Sequence, residues 1–137
     1  VNQRYLKGVE ILEALTGNPA EHLASRVAEI APDFARMTIE FPFGDLYARG
    51  TLDLRAREIA AISALAALGT AAPQLRVHVA AALNLGVTRD EVIEILMQTA
   101  IYAGFPAALN SLGHCHDLLT EGACSPCQAA NRVAGQG

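Results

Sequence analysis

The sequence contains no tryptophan, and only 5% of its residues are aromatic. A core without large flat rings has to be filled by aliphatic side chains and by close backbone approach. Charge is scarce as well: 18% of residues are Asp, Glu, Lys or Arg, against roughly 25% in an average globular chain. With a net charge of -4 and no Lys/Arg cluster, there is no electrostatic footprint for nucleic acid. No segment alternates with the two-residue period of a strand over a useful length, and neither an internal repeat nor a linker is present. Long hydrophobic runs are missing too. Ile59 to Leu75 and Ile95 to Gly113 carry no charge, but Gly69, Pro73, Gly104 and Pro106 interrupt them. A membrane-spanning helix needs about 20 largely unbroken apolar residues, so both runs read as buried helices joined by turns, with no membrane partner. The cysteines are Cys115, Cys124 and Cys127, an odd set clustered near the C-terminus, which is no disulfide framework. Val1 to Glu10 is polar and mixed in charge, without a signal-peptide pattern, and a cytoplasmic location is the expectation.

What is present is aliphatic. Apolar residues make up 52% of the chain, and 26 residues are alanine. Alanine loses no side-chain entropy in a helix, so this composition predicts an all-α chain. Its 137 residues fit a single-domain helical bundle of about six to seven helices over residues 1–120, followed by a small, polar, flexible tail over 121–137. The first amphipathic stretch covers 3–15 and stops at Gly17. Asn18-Pro19-Ala20-Glu21 has the pattern of a helix start and predicts a helix to about Ile30. Pro32 starts another, and Phe41-Pro42-Phe43-Gly44-Asp45 reads as a structured loop. Asp53 caps a long helix from Leu54 to Leu68, stopped by Gly69. Pro73 opens the next helix, and Thr88-Arg89-Asp90-Glu91 is a capping box for a helix to Ala103. Pro106 begins a last helix, to about Leu119. Around the 92–103 helix, Glu91, Glu94 and Gln98 form only a narrow polar stripe, so most of its circumference is expected to be covered. Together with the low charge, this predicts a homo-oligomer.

One helix carries a carboxylate among its apolar residues. At 100° per residue, Leu54, Ile62, Leu65 and Leu68 fall within about 60° of one direction, with Glu58 near the centre of that stripe and Arg55 and Arg57 on its flanks. A buried glutamate is costly unless it is paired or protonated. It is either a structural carboxylate satisfied by one of those arginines or a capping amide, or a proton-transfer group. His78, on the next helix, shares its face with Gln74, Ala81, Ala82 and Leu85. An isolated histidine on such a face is commonly a hydrogen-bonded core residue. Glu and His in a dry cleft, however, make an acid/base pair, and the two could meet within the hairpin or across a subunit contact.

Several motifs now line up. They are Phe43-Gly44-Asp45-Leu46-Tyr47, Arg57-Glu58-Ile59, Leu75-Arg76-Val77-His78, Ala82 to Val92 with its Leu85-Gly86-Val87-Thr88 turn, and Ile101-Tyr102-Ala103-Gly104-Phe105-Pro106-Ala107-Ala108. In order and spacing they resemble the carboxymuconolactone decarboxylase family, over about Tyr5 to Leu119. The resemblance implies an all-helical fold of the alkylhydroperoxidase D-like type, assembled as a homotrimer or homohexamer with sites near subunit contacts. The family divides into decarboxylases of aromatic catabolism and thiol peroxidases. The peroxidase branch has a Cys-x-x-Cys ending four residues before its histidine, and this chain has Ala71 and Gln74 at those places. Its Glu and His match Glu58 and His78. The decarboxylase branch implies substrate carboxylates near Arg49 and Arg57 and an acid/base role for His78. It has Ser at Glu58 and a His-Ala-Trp-Gly loop where this chain has Phe41-Pro42-Phe43-Gly44.

The expectation is therefore a cofactor-independent decarboxylase-like enzyme acting on a small unsaturated anionic lactone or acid. His78 and Glu58 would be catalytic, and Arg57 and Arg49 substrate-binding. Two alternatives stay open: a thiol-dependent peroxidase using Cys124 and Cys127, and a non-enzymatic ligand-binding oligomer. His114-Cys115-His116 and Cys124-Ser125-Pro126-Cys127 hold soft metal ligands but match no zinc-site spacing, and no metal is expected.

Overall fold

The computed structural model describes residues 2–120, and the expected flexible tail, with Cys124 and Cys127, lies outside the described residues. Among these residues the chain is all-helical, with no strand. The α-helices are α1 (Gln3–Thr16), α2 (Ser25–Ala28), α3 (Pro32–Ile39), α4 (Leu54–Leu68), α5 (Ala72–Asn84), α6 (Arg89–Ala103), α7 (Phe105–His114) and α8 (His116–Leu119). No helix among the described residues is long and apolar enough to cross a membrane.

The local chemistry of the helix ends behaves as the sequence predicts. Asp53 accepts from the Ala56 amide at 2.7 Å and starts α4, and Gly69 ends it at φ 76°, a left-handed conformation that glycine adopts without a Cβ penalty. Thr88 and Glu91 form the reciprocal capping box of α6.

Two apolar clusters carry the packing. Ile62, Ala66, Leu75, Val79, Val92 and Leu96 belong to one, built from α4, α5 and α6. Ile11, Leu12, Leu15, Ile39 and Phe43 belong to the other, with Ala81 of α5 closing it. The small side chains of Ala66, Ala81 and Ala82 are buried where these helices pack, which is how a tryptophan-free core closes.

Several expectations are corrected. Residues 18–30 do not form one helix. Pro19 is extended, Ala20–His22 is a single 3₁₀ turn, and Ala24 at φ -133° separates it from the four-residue α2. Asn18 does not cap: its side chain donates to the Thr16 carbonyl, and Glu13 accepts from the Ala20 amide instead. Ala20 is buried, but Leu23, Val27 and Ile30 are exposed, so the larger side chains gain no packing, and packing is what sustains a short helix. The expected loop at Phe41–Asp45 is a π-helical segment, Glu40–Tyr47. Its Ala48 amide donates to the Phe43 carbonyl, five residues back, at 3.1 Å. Gly44 makes the segment possible, because a Cβ there would overlap the Arg4 carbonyl of α1. The last helix is broken at Cys115, giving α7 and α8.

The buried face of α4 is also turned from the predicted direction. Glu58, Ile62 and Ala66 are fully buried, whereas Leu68 is exposed, because α4 meets its neighbours through Ile62 and Ala66. On α6, Met97, Ile101 and Tyr102 are exposed in the single chain.

Candidate active site

α4 and α5 form a hairpin through the three-residue connection Gly69–Ala71. Glu58 lies ten residues before the end of α4 and His78 six after the start of α5. For helices side by side, that is an axial offset of about 6 Å, which left their meeting open from sequence. They meet within one chain: Nδ1 of His78 lies 2.7 Å from Oε2 of Glu58. The other carboxylate oxygen, Oε1, accepts from the Tyr47 hydroxyl at 3.2 Å. Glu58 has no solvent exposure, while the His78 side chain is 23% exposed. A fully buried carboxylate thus has one donor on each oxygen, and the imidazole carries it to the surface.

Neither of the flanking arginines satisfies Glu58. Arg55 pairs with Glu91 of α6 instead. Arg57 stacks its guanidinium 5.3 Å from the centre of the Tyr47 ring and donates from Nη2 to the Arg49 carbonyl at 3.1 Å. Its Nε is buried without a hydrogen-bond partner, and among the described residues it has no carboxylate partner. Arg49 joins the group through its backbone carbonyl, and its own side chain is exposed.

Tyr47 is the residue that sequence reasoning did not single out. It sits at the end of the π-helical segment, edge-on to Phe43 with ring centroids 5.2 Å apart. Burial first, and then the neighbouring Glu58 charge, push its phenol up to about 12, so it stays protonated and donates. It stands 11 residues before Glu58 across a non-periodic segment, and no helical repeat could align the two. The one available signal was a polar aromatic within the Phe43–Tyr47 motif.

The site lies where the two apolar clusters meet. Tyr47 and Leu54 pack on one, and Ile62 and Val79 belong to the other. Three surface concavities lie elsewhere. One of about 640 Å³ opens between α1, α2 and α3, with Tyr5, Arg36 and Ile39 in its lining. Another of about 390 Å³ lies between α6 and α7, lined by Ile101, Phe105 and Leu109. The third, of about 370 Å³, lies over Ile59, Glu94 and Ile95. None of the three is lined by Glu58 or His78, the pair considered for a dry cleft.

A model of the carboxymuconolactone decarboxylase family matches residues 32–114, well over half of the chain. The chain belongs to this family. It is 33% identical over 107 residues to a 4-carboxymuconolactone decarboxylase of Acinetobacter baylyi, an overlap of 77% of this chain and 79% of that protein. It is also 34% identical over 113 residues to an uncharacterized 15.0 kDa protein in the nqo9-nqo10 intergenic region of Paracoccus denitrificans, covering 80% and 83%. The family match takes in the π-helical segment, Glu58, His78 and the α6 capping box, and it stops before α8.

Among the described residues no cysteine precedes His78 at the places the peroxidase branch would fill. Ala71 precedes α5, and Gln74 is exposed one turn before His78. Cys115 is buried between α7 and α8, where desolvation pushes its thiol up and disfavours the thiolate. Among the described residues no group of three or more His, Cys, Asp or Glu is placed to hold a metal ion.

Proposed function

We propose that this chain is a cofactor-independent decarboxylase of a small unsaturated anionic lactone or acid, with 4-carboxymuconolactone as the first candidate. What supports this is one observation above the rest: a solvent-free carboxylate and a surface-reaching imidazole paired at 2.7 Å in a member of this family.

The chemistry suits these groups. The carbon–carbon bond to the leaving carboxylate breaks, and carbon dioxide departs. The bonding electrons move through the conjugated system onto the lactone carbonyl, giving a dienolate. A carbon–hydrogen bond then forms with a proton delivered by His78, so that hydrogen replaces the carboxylate. The lactone carbonyl is the electron sink, and the reaction makes no demand for a cofactor. Arg57 holds an anionic group of the substrate, with Arg49 beside it. Glu58 fixes the Nδ1 proton of His78 and balances the imidazolium, and the outer Nε2 faces the substrate. The exposed Met97, Ile101, Phe105 and Leu109 support assembly of the chain with itself as a homotrimer or homohexamer.

The test is carbon dioxide release from 4-carboxymuconolactone and from a panel of related unsaturated lactone acids, in wild type and in His78→Ala. Turnover in wild type that falls about 10²–10⁴-fold in a well-folded His78→Ala protein is the expected result. Saturable binding without turnover across the panel, or wild-type turnover in His78→Ala, overturns the reading.

A further inference from the structure

The Glu58–His78 pair has a third member that a simple acid/base reading leaves idle. Oε2 of Glu58 is engaged by His78, and Oε1 is engaged by the Tyr47 hydroxyl alone. Because Glu58 is fully buried, no water can replace that donor from the surface. The tyrosine is itself fixed from three sides. Phe43 packs edge-on against its ring at an interplanar angle of 74°, and the Arg57 guanidinium lies over it. The π-helical segment that carries it is seated on α1 through Gly44.

We propose that Tyr47 is a positioning residue, whose hydroxyl holds the Glu58 carboxylate anionic and turned so that its other oxygen keeps the Nδ1 proton of His78 and leaves Nε2 outward. This rests on the reading of His78 as the proton-transfer group. Tyr47 touches neither substrate nor reacting atoms on this account, and it acts through Glu58. Its role requires a donor that never ionises in the working range, and a phenol raised by burial meets that requirement.

The sign of its effect follows from charge. A hydroxyl donating to Oε1 stabilises the carboxylate most when His78 is neutral, because no cation then competes for the anion. Removing the hydroxyl makes the pair take up a proton more readily. The charged and titratable groups gathered here are Glu58 and Arg57 from α4, His78 from α5 and Tyr47 itself, with the Arg57 guanidinium over the Tyr47 ring.

The experiment replaces only the hydroxyl. In Tyr47→Phe the ring remains for Phe43 and Arg57, and the His78 imidazole is followed by ¹⁵N NMR across pH in the full chain. The titration midpoint is expected to move to higher pH than in wild type. With 3-fluorotyrosine at position 47, a more acidic and stronger donor, it is expected to move lower. If Tyr47→Phe fails to fold, the fluorinated chain still gives the test. On a substrate the wild type turns over, Tyr47→Phe should lower kcat about tenfold with KM unchanged, a pattern of lost transition-state stabilisation. An unchanged midpoint in both proteins, with native thermal midpoints, overturns the proposal. The NMR readout needs no turnover. Opposed shifts without any lactone turnover would uphold Tyr47's role in the pair and sink the decarboxylase reading alone.

Discussion

Replacing Glu58 by glutamine removes a charge and almost no volume, so its consequences follow from the contacts. The amide can serve both neighbours. Its oxygen still accepts from His78, and its NH₂ can turn to the Tyr47 hydroxyl, whose oxygen has lone pairs to accept with. Packing and tautomer are kept, and the anion is lost. When His78 becomes positive, a carboxylate about 4 Å away at an effective dielectric near 20 stabilises it by about 4 kcal/mol. A neutral hydrogen bond retains about 1 kcal/mol of this. The remaining roughly 3 kcal/mol corresponds to a roughly 10²-fold slower turnover.

The structural reading of Glu58 predicts the opposite pattern. If the carboxylate only held α4 to α5, breaking a buried pair would cost about 3–5 kcal/mol of stability, and activity would follow the folded fraction. On the catalytic reading, stability of Glu58→Gln stays within about 1 kcal/mol of wild type, because both hydrogen bonds survive. Turnover, thermal midpoint and sedimentation are measured on the same samples, using the lactone acid that the wild type handles best. A well-folded Glu58→Gln protein with wild-type turnover refutes the argument.

Three further outcomes are expected. Arg57→Ala should raise KM roughly ten- to hundredfold, with a smaller change in kcat, because a charge-assisted contact to a bound carboxylate is lost; an unchanged KM contradicts the substrate-binding role. Hydrogen bonds from Arg76 pull Asp117 down to about 2, and those from Arg36, Arg4 and the Thr88 amide hold Glu40, Asp45 and Glu91 below the usual carboxylate range. Depressed carboxyls add stability above their unfolded values, near about 4, and lose it as pH falls through the folded ones, so the thermal midpoint should drop steadily from about pH 4 toward pH 2. A flat midpoint over that window is incompatible with these pairs. In sedimentation, the chain should run as a trimer or hexamer of its 14.4 kDa mass, and a stable monomer at micromolar concentration removes the oligomer proposal.

The parts of the fold legible in the sequence are those decided within one turn of helix. Asp53 and the Thr88–Glu91 box cap their helices through side chains three residues from the amides they meet, so spacing alone reveals them. The helix expected at 18–30 failed because propensity is weak without a packing surface, and Leu23, Val27 and Ile30 have none in the single chain. The π-helical segment was out of reach because its cause lies in Gly44 meeting Arg4, some 40 residues earlier. The same division holds at the site. Glu58 stood out as a carboxylate on an apolar stripe and His78 as a lone imidazole on a face of small residues. Their contact depends on how two helices are set against each other, and Tyr47 depends on the π-helical turn that delivers it.

That delivery bears on which chemistry the pair can serve. Ala71 and Gln74 stand where the resemblance places the thiols of the peroxidase branch, so among the described residues no thiol stands one turn before His78. Tyr47, Glu58 and His78 form one hydrogen-bonded chain, in which His78 moves the proton on the proposed reading while the other two hold it in place. The substrate proposed for this site brings its own electron sink. On the proposed reading, a conjugated lactone carbonyl is such a sink, and the stacked, carboxylate-free Arg57 is a cation left to hold the anion attached to it. A chain that kept the thiols and lost Arg57 would favour peroxide over lactone. Installing Ala71→Cys and Gln74→Cys in this chain should therefore add peroxide-dependent thiol oxidation without lowering the raised KM of Arg57→Ala.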